Sequence, residues 1–225
     1  MSKPMAAVPL RSKAAGARYL RFLIALGALL LVSALIAGFV VWPRSPANLV
    51  RSGVLTGELY SRWKAGELVV LVRHGERCDR SGNACLGPAD GITVVGQKAS
   101  LDVGSAFRSM GMEHTLVLTS PLSRTVQTAA SMFGQVAGRQ DWLATCNGDI
   151  SKEIKSQKQP GQNLILVTHS NCIGTLEMQM GFPYAEDADY ASSLFASIGR
   201  NGKLKVLGKV NAQDWPALMA RIPTL

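Results

Sequence analysis

Residues 22–42 form a run of 21 residues without a charge, made chiefly of Leu, Ala, Val and Ile. About 20 apolar residues are needed to cross ~30 Å of hydrocarbon, so the run predicts one transmembrane helix. Lys3, Arg11, Lys13, Arg18 and Arg21 precede it with no acidic residue, and only Arg44 follows closely. The positive-inside rule then puts residues 1–21 in the cytoplasm and exports everything after the span. A cleaved signal peptide is the competing reading. Its apolar region is usually ~7–15 residues and ends in small residues at a cleavage site, which residues 37–42 do not offer, so an uncleaved anchor is favoured.

The same segment explains the charge. The chain carries a net charge of +9, but six of its 24 basic residues and none of its 15 acidic ones lie in residues 1–44. The remainder holds 18 basic against 15 acidic residues, a balance that gives no reason to expect a nucleic-acid partner.

All four cysteines, Cys78, Cys85, Cys146 and Cys172, fall on the exported side. There an even count favours structural disulfides over buried free thiols. No Cys-x-x-Cys pair is present to suggest zinc or thioredoxin-like chemistry. Four thiols allow three connectivities, and their order along the chain suggests Cys78 with Cys85 and Cys146 with Cys172.

Pro43 and Pro46 end the span and open a connector, residues 43–66, in which Leu55, Leu59 and Trp63 recur at helical spacing. The domain proper is expected over residues 67–210, with a C-terminal tail at 211–225. Continuous apolar runs at 68–72, 115–119 and 164–168 predict buried parallel strands, each followed by a polar turn and a helical stretch, at 93–110, 122–136 and 172–180. Two more strands, at 194–198 and 203–208, would form a hairpin across Gly199–Gly202. The expected fold is α/β, a three-layer αβα sandwich on a mostly parallel sheet. Ligands of such sheets collect at the carboxyl ends of the strands.

At those ends stand Arg73-His74-Gly75-Glu76-Arg77, Ser120-Pro121-Leu122-Ser123-Arg124-Thr125 and His169-Ser170-Asn171. Singly, a histidine at a strand end is often structural and an arginine at a helix start often pairs with a surface carboxylate; His114, the remaining histidine, reads as a surface residue. Jointly they match what a transferring phosphoryl group needs, several preorganised cationic donors around spread negative charge. Arginine donates a two-pronged hydrogen bond and stays charged, and a neutral imidazole can attack phosphorus and leave again.

Leu-Val-Arg73-His74-Gly75-Glu76 resembles the RHG motif of the histidine phosphatase superfamily. Ser120-Pro-Leu-Ser-Arg124-Thr-Val-Gln-Thr-Ala resembles its second-arginine segment, and Leu-Val-Thr-His169 its second-histidine segment. The resemblance spans roughly residues 67–207. It implies that His74 is the nucleophile and that Arg73, Arg124 and His169 bind the phosphoryl group, with no metal or other cofactor required. The branch with no Asp directly after the second histidine, where this chain has Ser170, usually draws its proton donor from a carboxylate before the third strand. Asp149 is the first candidate and Glu153, one turn later, the second; the donor can also be neither, with Asp149 serving only as a helix cap. Arg77 either faces the pocket or forms a salt bridge.

A narrower resemblance is to the lipopolysaccharide core heptose(II)-phosphate phosphatase group. It rests on Glu76-Arg77-Cys78-Asp79-Arg80-Ser81, Cys85-Leu86, Gly91-Ile92-Thr93-Val94, the stretch from Cys146 to Ile150, and Cys172 soon after His169. It implies a phosphatase anchored singly in a bacterial inner membrane with its catalytic domain in the periplasm, acting on a phosphorylated sugar or glycolipid. The alternatives are a general periplasmic sugar-phosphate or acid phosphatase and a non-catalytic, membrane-tethered binding protein.

Overall fold

The structure, a computed structural model, describes residues 13–41, 44–52, 56–134 and 138–222. Lys3, Arg11, the predicted span end at Trp42, Pro43, Gly53, Leu55 and the predicted helix end at Val136 lie outside them. The chain divides into two units, Met1–Pro43 and Arg44–Leu225.

The first unit contains one helix, α1 (Lys13–Val41), and its stretch Gly16–Phe39 is long and apolar enough to cross a membrane by length and composition. The large apolar side chains along it, from Tyr19 to Phe39, are exposed.

In the second unit the elements run α2 (Thr56–Lys64), β1 (Leu68–Arg73), α3 (Val94–Met110), β2 (Thr115–Thr119), α4 (Ser123–Phe133), β3 (Gly138–Arg139), α5 (Trp142–Thr145), α6 (Ile150–Gln157), β4 (Asn163–Thr168), α7 (Ser170–Gln179), β5 (Ser193–Ile198), β6 (Leu204–Val210) and α8 (Trp215–Met219). One six-stranded sheet takes the order β3-β2-β4-β1-β5-β6. The pairs β2–β3, β2–β4 and β1–β4 are parallel, and β1–β5 and β5–β6 antiparallel. The expected hairpin is the last of these, closed by a hydrogen bond from Gly199 N to Lys203 O at 2.9 Å.

The period-two pleat of β1 explains the two cores. Leu68, Val70 and Val72 enter one cluster with Trp63 of α2, Phe107 of α3, Met132 of α4 and Trp215 of α8. Val69 and Leu71 enter the other with Leu143 of α5, Ile154 of α6 and Leu176 of α7. A strand buried on both faces cannot alternate apolar with polar, which is why 68–72 reads as a continuous run. Burying each such side chain contributes about 1.5–3 kcal/mol.

Two expected boundaries need correction. Residues 43–66 are more than a connector: Leu49, Leu59 and Trp63 are buried, and the Trp63 indole donates to Gly111 O at 2.7 Å. Residues 211–225 are more than a tail. Trp215 and Leu218 lie in the core, with the Trp215 ring 4.6 Å from that of Phe107. Both stretches bring large apolar side chains to a sheet face that the central helices do not fill.

Buried Asn163 ties α2 to the sheet. Its carbonyl oxygen accepts from Leu68 N at 3.0 Å and its amide donates to Trp63 O at 2.8 Å. The register pairs Arg73 with Thr168 and Thr119 with Val167, so the carboxyl ends of β1, β2 and β4 meet along one edge.

Candidate active site

The loop leaving β1 is fixed by its backbone. His74 N donates to Thr168 O at 3.0 Å, Gly75 N to Thr128 Oγ1 at 2.8 Å, and Ala191 N to His74 O at 3.2 Å. A Cβ on Gly75 would stand 2.9 Å from Gly96 O, and one on Gly96 would stand 2.6 Å from Glu76 N. Both glycines therefore let this loop press against the start of α3.

His74 is 3 % exposed, and its Nδ1 lies 2.7 Å from Gly75 O. A carbonyl only accepts, so Nδ1 carries the proton and Nε2 keeps its lone pair. Burial, reinforced by His169, Arg124 and Arg73, outweighs the Gly75 hydrogen bond and lowers the His74 pKa to about 3. His169 caps α7, stands 5.2 Å from His74 between ring centroids, and meets Ser120 Oγ through Nε2 at 3.0 Å. Burial first, then Arg124, Arg77 and Arg73, lower its pKa to about 4. Both rings are neutral near pH 7.

Arg73 ends β1. Its guanidinium donates to Ala188 O and lies 4.0 Å from the centroid of the Tyr190 ring. Arg124 sits in the first turn of α4. Arg77 lines the same space and is also ion-paired, its Nε donating to Asp79 Oδ1 at 2.7 Å. Glu76 points away from the cavity. Its carboxylate accepts from Thr93 Oγ1 at 2.7 Å, Asn83 Nδ2 at 2.9 Å and Ser81 Oγ at 3.0 Å, and these bonds hold it below the usual carboxylate range.

These side chains surround a cavity of about 260 Å³, walled by Arg73, Arg77, Arg80, Arg124, His74 and His169, with Ala144, Ser170 and Asn171 completing it. Liquid water takes about 30 Å³ per molecule, so a phosphoryl group and part of its carrier fit. The buried Arg73 Nε, Arg124 Nε and His169 Nδ1 have no hydrogen-bond partner among the described residues. A larger cavity, about 740 Å³, lies between α2 and β6 against Leu49, Leu59, Leu204 and Val206, and no histidine lines it.

Asp149 and Glu153 are not brought to this cavity. Asp149 caps α6, accepting from Lys152 N at 3.1 Å, and both side chains are exposed. The cysteines do come together in pairs, Cys78 with Cys85 and Cys146 with Cys172, at Cα separations of 5.3 and 5.1 Å. Tyr190 and Ala188 lie outside every motif, and Thr128, though inside the second-arginine segment, was given no role there.

The family model described as the histidine phosphatase superfamily (branch 1) matches residues 69–141. A lipopolysaccharide core heptose(II)-phosphate phosphatase of Salmonella typhi is 32 % identical over 150 residues, covering 65 % of this chain and 73 % of that protein. A protein of the same name from Escherichia coli O7:K1 is 37 % identical over 109 residues, 47 % of this chain and 54 % of that one. Among solved structures, the protein histidine phosphatase SixA complexed with tungstate shares the fold at a TM-score of 0.53 and 16 % identity, covering 65 % of this chain and 98 % of that one. Two histidines and two arginines at the carboxyl edge of the sheet, and this extent of sequence identity, make the chain a member of the histidine phosphatase superfamily.

Proposed function

We propose that this phosphatase hydrolyses a phosphomonoester through a phosphohistidine on His74, and that its substrate is a phosphorylated sugar of an envelope glycolipid. The observation that carries the chemistry is His74 itself, a buried neutral imidazole with a free Nε2 lone pair beside a cavity of four arginines. Buried polar groups need partners, and the unpaired nitrogens of Arg73, Arg124 and His169 are answered by an anion with several acceptor oxygens.

In the first step His74 Nε2 attacks phosphorus, the P–O ester bond breaks, and the ester oxygen leaves as the carrier's hydroxyl, taking its proton from solvent. Arg73, Arg124 and His169 meet the charge on the phosphoryl oxygens, with the arginines supplying charge-assisted donors and His169 a neutral one. Water then attacks the phosphohistidine, releasing phosphate and restoring the imidazole. No carboxylate lines the cavity among the described residues, and leaving-group protonation is assigned to neither Asp149 nor Glu153.

The substrate reading draws on the names of the relatives, lipopolysaccharide core heptose(II)-phosphate phosphatases. The location draws on the apolar stretch 22–42 and the basic residues before it: a single-pass inner-membrane anchor and a phosphatase domain in the periplasm with envelope glycolipids within reach. The test is phosphate release by the full chain in detergent from purified lipopolysaccharide and from simple sugar phosphates. Preferential release from lipopolysaccharide is expected. Equal or better turnover of free sugar phosphates would replace the glycolipid reading with a general phosphatase.

A further inference from the structure

Four arginines line the cavity, two more than the pair expected to hold the phosphoryl group, Arg73 and Arg124. Among the described residues the one carboxylate ion-paired with any of them is Asp79, on Arg77. Asp187 and Asp189 act on Arg73, and Asp90 on Arg77 and Arg124, from farther off, but among the described residues none of the three is ion-paired with a cavity arginine and none lines the cavity. Crowding like charges is costly: burial first, then Arg77 and Arg80, lower the Arg124 pKa, against the opposing pull of Asp79 and Asp90. A cluster of this kind is balanced when the ligand brings the compensating charge.

Arg77 and Arg80 sit on one short turn, which is fastened independently of the phosphoryl-binding groups. Cys78 N donates to Gly91 O at 3.1 Å, and Ser81 N to Cys78 O at 3.3 Å. The Glu76 carboxylate binds Ser81 and Asn83 beyond the turn and Thr93 at the cap of α3. Cys78 lies against Cys85. Asp79 aims Arg77, with its two oxygens on Nε and Nη2. Arg80 is exposed, and its guanidinium has no ion pair or hydrogen bond among the described residues. A rigid turn therefore holds two arginines toward the cavity, one aimed by its neighbour and one uncommitted.

We infer that Arg77 and Arg80 form a second anion subsite beside the phosphoryl site, so that the preferred substrate is a phosphomonoester whose carrier bears another anionic group, phosphate or carboxylate, close by. This rests on the phosphatase reading and narrows it. Sugars bearing two phosphates, or a phosphate beside an acid, satisfy it; a neutral sugar monophosphate leaves the subsite empty.

Calorimetry on the full chain in detergent tests this without turnover, using inorganic phosphate and bisphosphonates with one-, two- and three-carbon spacers. At least one bisphosphonate is expected to bind about tenfold more tightly than phosphate. Arg80→Gln and Arg77→Gln should each cut that advantage to about threefold or less, and Arg80→Lys should keep part of it. Arg124→Gln should weaken phosphate and bisphosphonate by similar factors. If phosphate binds and no bisphosphonate does better, or if the advantage survives Arg80→Gln, the subsite is overturned and the phosphatase reading stands. If phosphate fails to bind and simple phosphomonoesters are not hydrolysed, the phosphatase reading falls and takes the subsite with it.

Discussion

The Arg73 guanidinium lies 4.0 Å from the centroid of the Tyr190 ring, across 117 residues of chain, and the loop bearing Tyr190 also offers Ala188 O to the same guanidinium. The ring face and the carbonyl together leave Arg73 one orientation. A cation over an aromatic face is worth about 0.5–2 kcal/mol. Tyr190→Leu should therefore lower kcat/KM by roughly three- to thirtyfold with little change in melting temperature, and Tyr190→Phe should retain most activity because the ring remains. Equal losses in both variants would show that the hydroxyl, not the ring face, is what matters.

Asp149 gives a second test. Asparagine caps helices about as well as aspartate, so Asp149→Asn removes the titratable proton and leaves α6 in place. Turnover of substrates with poor leaving groups should stay within about threefold of the parent. A loss of a hundredfold, far beyond what a cap contributes, would return Asp149 to the role of general acid.

The pH dependence follows from the lowered histidine pKa values. A base whose pKa is depressed keeps its neutral form to lower pH, so with values of about 3 and about 4 both His74 and His169 remain neutral from pH 7 down to about 5. After correction for substrate ionisation, kcat/KM should be flat across that interval and fall only as pH approaches 4. An acid limb centred near 6.5, with the fold intact by circular dichroism, would mean that His74 titrates like a solvated imidazole.

Protein exported to the periplasm should carry both disulfides, detectable by peptide mapping without reduction. Closing the loop from Cys78 to Cys85 is worth about 2.5 kcal/mol on the chain-entropy estimate, and that from Cys146 to Cys172 about 3.6 kcal/mol. The second link joins the segment before α6 to α7, the helix capped by His169. Reduction should lower activity before the sheet unfolds. Four free thiols, or a Cys85–Cys146 link, would contradict the pairing.

What could be read from the sequence followed from the topology. A parallel strand buried on both faces announces itself as a short apolar run, and parallel strands deliver their carboxyl ends to one edge, so Arg73, His74, Arg124 and His169 could be gathered before any coordinates. Tyr190 and Ala188 could not, because they meet Arg73 from an irregular loop with no periodicity. Helix α5 was also missed, being only 4 residues long, too short to show a clear apolar face. Asp149 was ambiguous for a physical reason: a carboxylate before a helix is a cap by default, and only its position relative to the cavity separates that from catalysis. The aromatic cluster of Trp63, Phe107, Phe195 and Trp215 comes from four separate segments, and no local pattern joins them.

The central claim is that phosphorus is attacked by His74. The most direct measurement is rapid mixing of the full chain with a radiolabelled phosphomonoester, an alkaline quench, and peptide mapping of the label. Because phosphohistidine survives alkali and is lost in acid, the account predicts an acid-labile label on the peptide containing His74. In the folded His74→Asn protein the label should be absent and turnover lower by about a thousandfold or more, as is usual when a nucleophile is removed. Label on another residue, or turnover within about tenfold of the parent in His74→Asn, would contradict it.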